Sequence, residues 1–120
     1  DINPINYNFV KHRIKQLGLE SKISCCTKLS SGETFDTINC FDVMEHLPDP
    51  SDQLLQFHRM LAPSGRMVIN WYFSKGVNQE FPFHLDDPEI IDRFFKTLQA
   101  NFLEIFHPYF ITARCYRKMA

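Results

Sequence analysis

Asp42, Glu45 and His46 stand at i, i+3 and i+4 in the run Asp42-Val43-Met44-Glu45-His46. One helical turn would bring two carboxylates and an imidazole to the same side. An imidazole ordinarily titrates near neutrality and can take a proton from a hydroxyl, which makes His46 a candidate general base. His84 is a second candidate, in a stretch that also holds Trp71, Tyr72, Phe73, Phe81 and Phe83. An aromatic-lined pocket with one histidine suits an apolar or aromatic ligand, whereas the plainer alternative is a loop packed on its own aromatics. For Glu45 and His46 the plainer alternative is a turn that bonds neighbouring backbone. Geometry has to precede a catalytic assignment, so the structural turn is preferred.

The flanking elements must hold these groups in place. An apolar run with Phe35, Ile38, Cys40 and Phe41 ends at the polar turn, and Asp49-Pro50 then opens a helix. Ala62-Pro63-Ser64-Gly65 closes that helix before a second apolar run, 67–73. Polar groups just past a buried strand lie where open α/β sheets bind ligands. The same opening device occurs at Asn3-Pro4, Asp49-Pro50 and Asp87-Pro88. In each, a side-chain acceptor caps the helix and proline takes the first position, where its missing N–H costs nothing.

The predicted helices are 4–17, 50–61 and 88–98. The first buries Ile5, Phe9, Ile14 and Leu17, with Gly18 as its C-cap. The second buries Leu54, Leu55, Phe57 or His58, and Leu61; the third presents Ile90, Ile91, Phe94, Phe95 and Leu98. Short β-type runs are read at 22–26, 35–41, 66–73, 102–107 and 109–116. Only His107-Pro108 separates the last two, too little for the crossover that parallel neighbours need, so they must be antiparallel.

A chain of 120 residues can bury one modest core, hence a single domain or part of one. With 44% hydrophobic and 14% aromatic residues, and 12 phenylalanines, it has the means to fold. The net charge of −1 gives no field to recruit nucleic acid. Lys11, His12, Arg13 and Lys15 read as a solvated helix face, and no nucleic-acid partner is expected. No apolar stretch nears the roughly 20 residues of a membrane span, and no signal peptide is expected ahead of the first helix. Cys25, Cys26, Cys40 and Cys115 show no metal-binding spacing and read as reduced, buried thiols. A soluble, cytoplasmic protein is expected.

The combination of Phe35-Asp36 opening an apolar strand, the run D-x-x-E-H-L-P-D-P from Asp42 to Pro50, and R-x-L-A-P-x-G from Arg59 to Gly65 resembles class I S-adenosylmethionine-dependent methyltransferases. The likeness is to the small-molecule type that includes ubiquinone-pathway O-methyltransferases. It implies an α/β fold: a partial Rossmann-like sheet, mostly parallel, with an antiparallel C-terminal strand. It implies S-adenosylmethionine as cofactor and a small, apolar or aromatic acceptor, with O-methylation favoured. On this likeness Asp1 matches the acidic residue that binds the cofactor ribose, Ile2 covers the adenine, and Phe41 lies against the cofactor at a strand end. The residues matching an adenine-binding acidic position, Cys25-Cys26-Thr27-Lys28, include no carboxylate. The family's G-x-G loop has no counterpart, since Gly18, Gly32, Gly65 and Gly76 are isolated. The chain therefore reads as the C-terminal part of one methyltransferase domain, 1–120, expected to be inactive alone. The competing class is a non-catalytic remnant or partner subunit that keeps the fold but cannot hold cofactor.

In ubiquinone-type relatives, positions matching Asp42, Glu45 and His46 are thought to hold a divalent cation, for which oxygen donors and one imidazole would suit Mg²⁺, Mn²⁺ or Zn²⁺ weakly. The structural turn remains the preferred reading, no metal ligand is assigned, and metal is expected to be dispensable. The sharpest expectation is topological: the 109–116 strand should lie antiparallel between 102–107 and 66–73. A plain dinucleotide-binding domain lacks that ending.

Overall fold

The computed structural model describes residues 3–120. The chain divides into two compact units, Asp1–Glu33 and Thr34–Ala120. The first holds one helix, α1 (Pro4–Gln16). The second holds β1 (Phe35–Cys40), a 3₁₀ turn (Met44–His46), α2 (Pro50–Met60), β2 (Leu61–Ile69), α3 (Pro88–Asn101), β3 (Phe102–Ile105) and β4 (Arg114–Lys118).

All three helices start as their capping residues dictate. The Asn3 carboxamide oxygen accepts from the Ile5 and Asn6 N–H groups at 2.9 and 3.4 Å. Asp49 accepts from Ser51 and Asp52 at 3.0 and 3.1 Å, and Asp87 from Glu89 and Ile90 at 2.9 and 3.2 Å. Each satisfies donors that a helix start leaves orphaned. At the far end of α1, Gly18 takes φ +63° just past the Leu17 cap, a conformation open to residues without a Cβ.

The four strands stand in the order β1-β2-β4-β3. β1 and β2 are parallel, with Ile38 opposite Met67 and Cys40 opposite Ile69. β4 runs antiparallel to β2 on one side and to β3 on the other, pairing Met67 with Tyr116 and Cys115 with Ile105. Three strands thus share a direction and the last one reverses it. The expected insertion of the final strand is what the backbone hydrogen bonds produce.

α2 and α3 pack on each other and on the sheet. Met44, Leu54, Leu61, Met67, Ile69 and Phe94 form the dry centre of that layer, with Leu98, Phe102 and Tyr116 beside them. Phe94 is fully buried, and the rings of Trp71, Phe73 and Phe95 meet it edge-on at 5.4, 5.0 and 5.2 Å between centroids. Such edge-to-face pairs add to the burial of aromatic area.

Several element boundaries differ from the sequence reading. No strand forms over 22–26; Lys22 and Ile23 instead donate backbone hydrogen bonds to the Leu19 carbonyl. A β-type run without a neighbouring strand has no ladder to satisfy its peptide groups, so a turn wins. In α1 only Ile14 is buried, while Ile5, Phe9 and Leu17 are exposed. Its unit supplies no strand among the described residues, and an apolar helix stripe needs an opposing layer. Leu55 is exposed on α2. β2 begins at Leu61, because the Pro63-Ser64-Gly65 turn is folded into it as a bulge between the Phe35–Leu61 and Thr37–Arg66 pairs. Gly65 is required there: a Cβ would sit 2.8 Å from the Ala62 carbonyl oxygen. β2 ends at Ile69, β3 at Ile105, and β4 occupies Arg114–Lys118 rather than 109–116. Residues 106–113 are a loop in which His107 stacks on Phe110 at 4.1 Å.

The cysteines are free, as expected, but only Cys40 and Cys115 are buried. Burial, helped by the Glu45 charge, pushes the Cys40 thiol up to about 11. A neutral buried thiol is a poor nucleophile. Iodoacetamide at pH 8 should therefore modify Cys26 readily and Cys40 only after unfolding, as read by peptide mass mapping. Phe94→Ala should lower the unfolding free energy of this unit by about 3–5 kcal/mol in a denaturant titration.

Candidate functional site

Parallel pairing of β1 and β2 puts both carboxyl ends on one edge of the sheet, and the candidate groups gather there. β1 stops at Cys40, Phe41 follows with half its surface exposed, and the chain reverses at Asp42, whose φ is 54°. Left-handed backbone is uncommon outside glycine and is tolerated best by Asp and Asn. A reciprocal pair holds it. The Asp42 N–H donates to the Asn70 carboxamide oxygen at 2.7 Å, and the Asn70 Nδ2 donates to the Asp42 carboxylate at 2.8 Å. The Asn70 N–H also reaches the Cys40 carbonyl at 3.4 Å, so Asn70 clasps the two strand ends together.

That clasp takes Asp42 out of the expected constellation. The 3₁₀ turn begins only at Met44, so Asp42, Glu45 and His46 do not share one continuous helical turn. Glu45 is 3% exposed, and its Oε2 has no hydrogen-bond partner. Its backbone carbonyl accepts from the Leu85 N–H at 2.7 Å, a bond that brings the returning chain against the turn. His84 arrives by the same route. Its Nδ1 lies 2.9 Å from the Tyr72 carbonyl oxygen, its ring stacks on Phe81 at 4.9 Å, and Tyr72 stands edge-on to both.

The two candidate histidines meet. Their ring centroids are 4.7 Å apart at an interplanar angle of 81°. A carbonyl oxygen only accepts, so the bond to Tyr72 fixes the proton of a neutral His84 on Nδ1 and leaves the Nε2 lone pair available. One ligand atom each from Glu45, His46 and His84 lies within 4.8 Å of the other two. Beside them runs an open groove of about 360 Å³, lined by Leu47, Pro48, Pro82 and Phe83 and by Lys75 and Asp86, which form an ion pair at 3.3 Å. Such an edge can present imidazole nitrogens to a hydroxyl-bearing molecule held against aromatic surface.

The aromatic stretch divides. Trp71 and Phe73 turn inward onto α3 and belong to the core, while Tyr72 and Phe81 pack around His84 and Phe83 remains exposed. Asp1 and Ile2 lie outside the described residues. Asn70 was not singled out from the sequence. Its signal is a lone amide ending the apolar run Met67-Val68-Ile69 at the strand's carboxyl end.

A family model described as "Methyltransferase domain" matches residues 1–117. The ubiquinone biosynthesis O-methyltransferase of Pseudomonas syringae pv. tomato is 43% identical over 38 residues, which are 32% of this chain and 16% of that protein. That of Pseudomonas aeruginosa is 33% identical over 36 residues, covering 30% and 16%. The fold is similar to that of the N-methyltransferase NodS from Bradyrhizobium japonicum in complex with S-adenosyl-L-homocysteine, with a TM-score of 0.64 at 17% identity. That match covers 98% of this chain and 64% of NodS. The second NodS structure gives 0.62 at 16% identity, covering 98% and 70%.

Asn70→Ala should lower the unfolding free energy by about 1 kcal/mol, because Asp42 loses two hydrogen bonds that water replaces only in part at this exposed turn. Asp42→Asn should cost much less, since Asn accepts the same backbone conformation. Denaturant titration of both variants checks the order.

Proposed function

Because the chain belongs to the methyltransferase domain family, we propose that it transfers a methyl group from S-adenosylmethionine to the oxygen of a small apolar or aromatic acceptor. The observation that carries this reading is the meeting of His46 and His84 beside the Tyr72–Phe81 aromatic pair, at the carboxyl edge of β1 and β2. O-methylation is favoured over N-methylation by those imidazoles, since a hydroxyl must lose its proton to become a competent nucleophile. The printed name of the ubiquinone biosynthesis relatives points the same way over a short segment.

Phe41 fits a cofactor role. An apolar ring left half-exposed just past a strand end offers a flat surface to a ligand at the sheet's carboxyl edge. Asp1 and Ile2 are proposed as the ribose and adenine contacts. The cofactor supplies an electrophilic methyl on a sulfonium centre and leaves as S-adenosylhomocysteine. The protein's work is alignment and proton removal. The groove beside Pro82 and Phe83 holds the acceptor body, and the imidazole pair faces its hydroxyl. His84, with its tautomer fixed by the Tyr72 carbonyl, presents Nε2 as the proton acceptor, and His46 stands across from it.

The lack of any G-x-G loop in these 120 residues favours one second reading, a non-catalytic relative of the family. Calorimetry with S-adenosylhomocysteine and methyl transfer to catechol-type acceptors, in the full-length protein that carries this chain, separates the two. The proposed enzyme binds the cofactor, and Phe41→Asp weakens that binding. His84→Ala lowers methyl transfer by about 10²–10⁴-fold while leaving cofactor binding intact. A full-length protein that binds no cofactor would establish the non-catalytic reading. The 120-residue chain by itself should bind weakly.

A further inference from the structure

We infer that the cleft between α3 and the β3–β4 edge of the sheet is a second ligand site, suited to a neutral one- or two-ring phenol. Its position follows from the strand register. Tyr116 on β4 stands opposite Met67 on one side and opposite Glu104 on the other. Residues two apart share a sheet face, so Arg114 lies on the same side as Tyr116. Met67 is buried in the core there, so this is the face that the helices cover. β3 is the edge strand, and α3 leaves space above it. What remains is a cavity of about 400 Å³ walled by Trp71, Phe95, Leu98, Phe102 and Tyr116. Leu98, Phe102 and Tyr116 are themselves buried, so its inner wall is largely hydrocarbon. It shares no lining residue with the groove beside His46 and His84.

The polar groups of the cavity select the ligand's charge. Arg114 Nη1 donates to Glu104 Oε1 at 2.9 Å, and the guanidinium carbon lies 5.9 Å over the Trp71 ring. Because the two charges stand side by side, a carboxylate drawn to Arg114 is repelled by Glu104, and an ammonium drawn to Glu104 is repelled by Arg114. A neutral ring meets neither repulsion. Burial, then the Glu104 charge, push the Tyr116 phenol up to about 12 against the pull of Arg114, so Tyr116 adds no charge of its own.

The same pair selects the hydroxyl. Both side chains are about half exposed, and ion pairs so placed hold weakly, which leaves this one open to a competing hydrogen bond. A phenol hydroxyl can give its proton to Glu104 and accept one from Arg114, bridging the pair with two charge-assisted bonds. Its ring then lies against the walls of Trp71, Phe95 and Tyr116, where edge and offset-stacked contacts are favourable. The volume is near the lower end for small-molecule sites, which limits the ligand to one or two rings.

Three probes that share one double ring separate the charges: 2-naphthol, 2-naphthoate and 2-naphthylmethylammonium. Each is titrated by calorimetry at pH 7, where a phenol is neutral, into the full-length protein that carries this chain. The wild-type protein should bind 2-naphthol roughly fivefold or more tightly than either ion. Glu104→Gln leaves Arg114 unopposed and should move the preference to 2-naphthoate; Arg114→Gln leaves Glu104 unopposed and should move it to the ammonium. Both residues are half exposed, so neither change opens the core, and circular dichroism checks the fold. His84→Ala, which tests the proposed reaction, should leave this binding unchanged, so the two readings can fail separately. Four results overturn the site: no binding of 2-naphthol; an ion preferred by the wild-type protein; preferences that neither Glu104→Gln nor Arg114→Gln moves; or loss of binding in His84→Ala.

Discussion

Parallel strands cannot be joined by a tight turn, and the rest of the Thr34–Ala120 unit follows from how β1 and β2 meet that constraint. The connection between them must cross a face of the sheet, and α2 is that crossing. The crossing sends both strands in the same direction, so their carboxyl ends emerge together and everything that follows each strand is delivered to one edge. The 3₁₀ turn after β1 and the long segment after β2 become neighbours for this reason. The Asp42–Asn70 exchange of hydrogen bonds then locks the two exits at a fixed separation.

The aromatic core sets where that long segment can go. Trp71 and Phe73 turn onto Phe94 and Phe95 of α3, which anchors the segment immediately after β2. Tyr72, between them, necessarily faces the other way, and its carbonyl and ring receive His84. The Leu85–Glu45 backbone bond completes the return. Core packing and site geometry are thus one arrangement. Phe94 meets Trp71 and Phe73, and His84 meets the Tyr72 that lies between them in the chain.

The features readable along the chain are the ones whose causes are local. A capping side chain reaches backbone two or three residues ahead, so the helix starts at Pro4, Pro50 and Pro88 could be placed from the dipeptides alone. The short link between the last two strands excluded a crossover and so forced the antiparallel ending. Strand identity was less secure. Residues 22–26 and 109–113 have β-type composition, but a strand exists only with a ladder partner, and neither has one. The exposed face of α1 fails for a related reason: periodicity marks a stripe that could be buried but does not supply the surface that buries it.

Local chemistry along the chain sets the alternation of elements, the reversal of the final strand, and the presence of Glu45, His46 and His84 in loops past strand ends. It could not group them. Helical spacing joined Asp42 to Glu45 and His46, because i, i+3 and i+4 coincide only while the backbone stays helical. The positive φ at Asp42 breaks that condition before the turn begins. Folding exchanges Asp42 for His84, through a hydrogen-bonded clasp to Asn70 and a loop drawn back by core aromatics. Both are contacts between residues far apart in the chain, and no local propensity encodes which of them will meet.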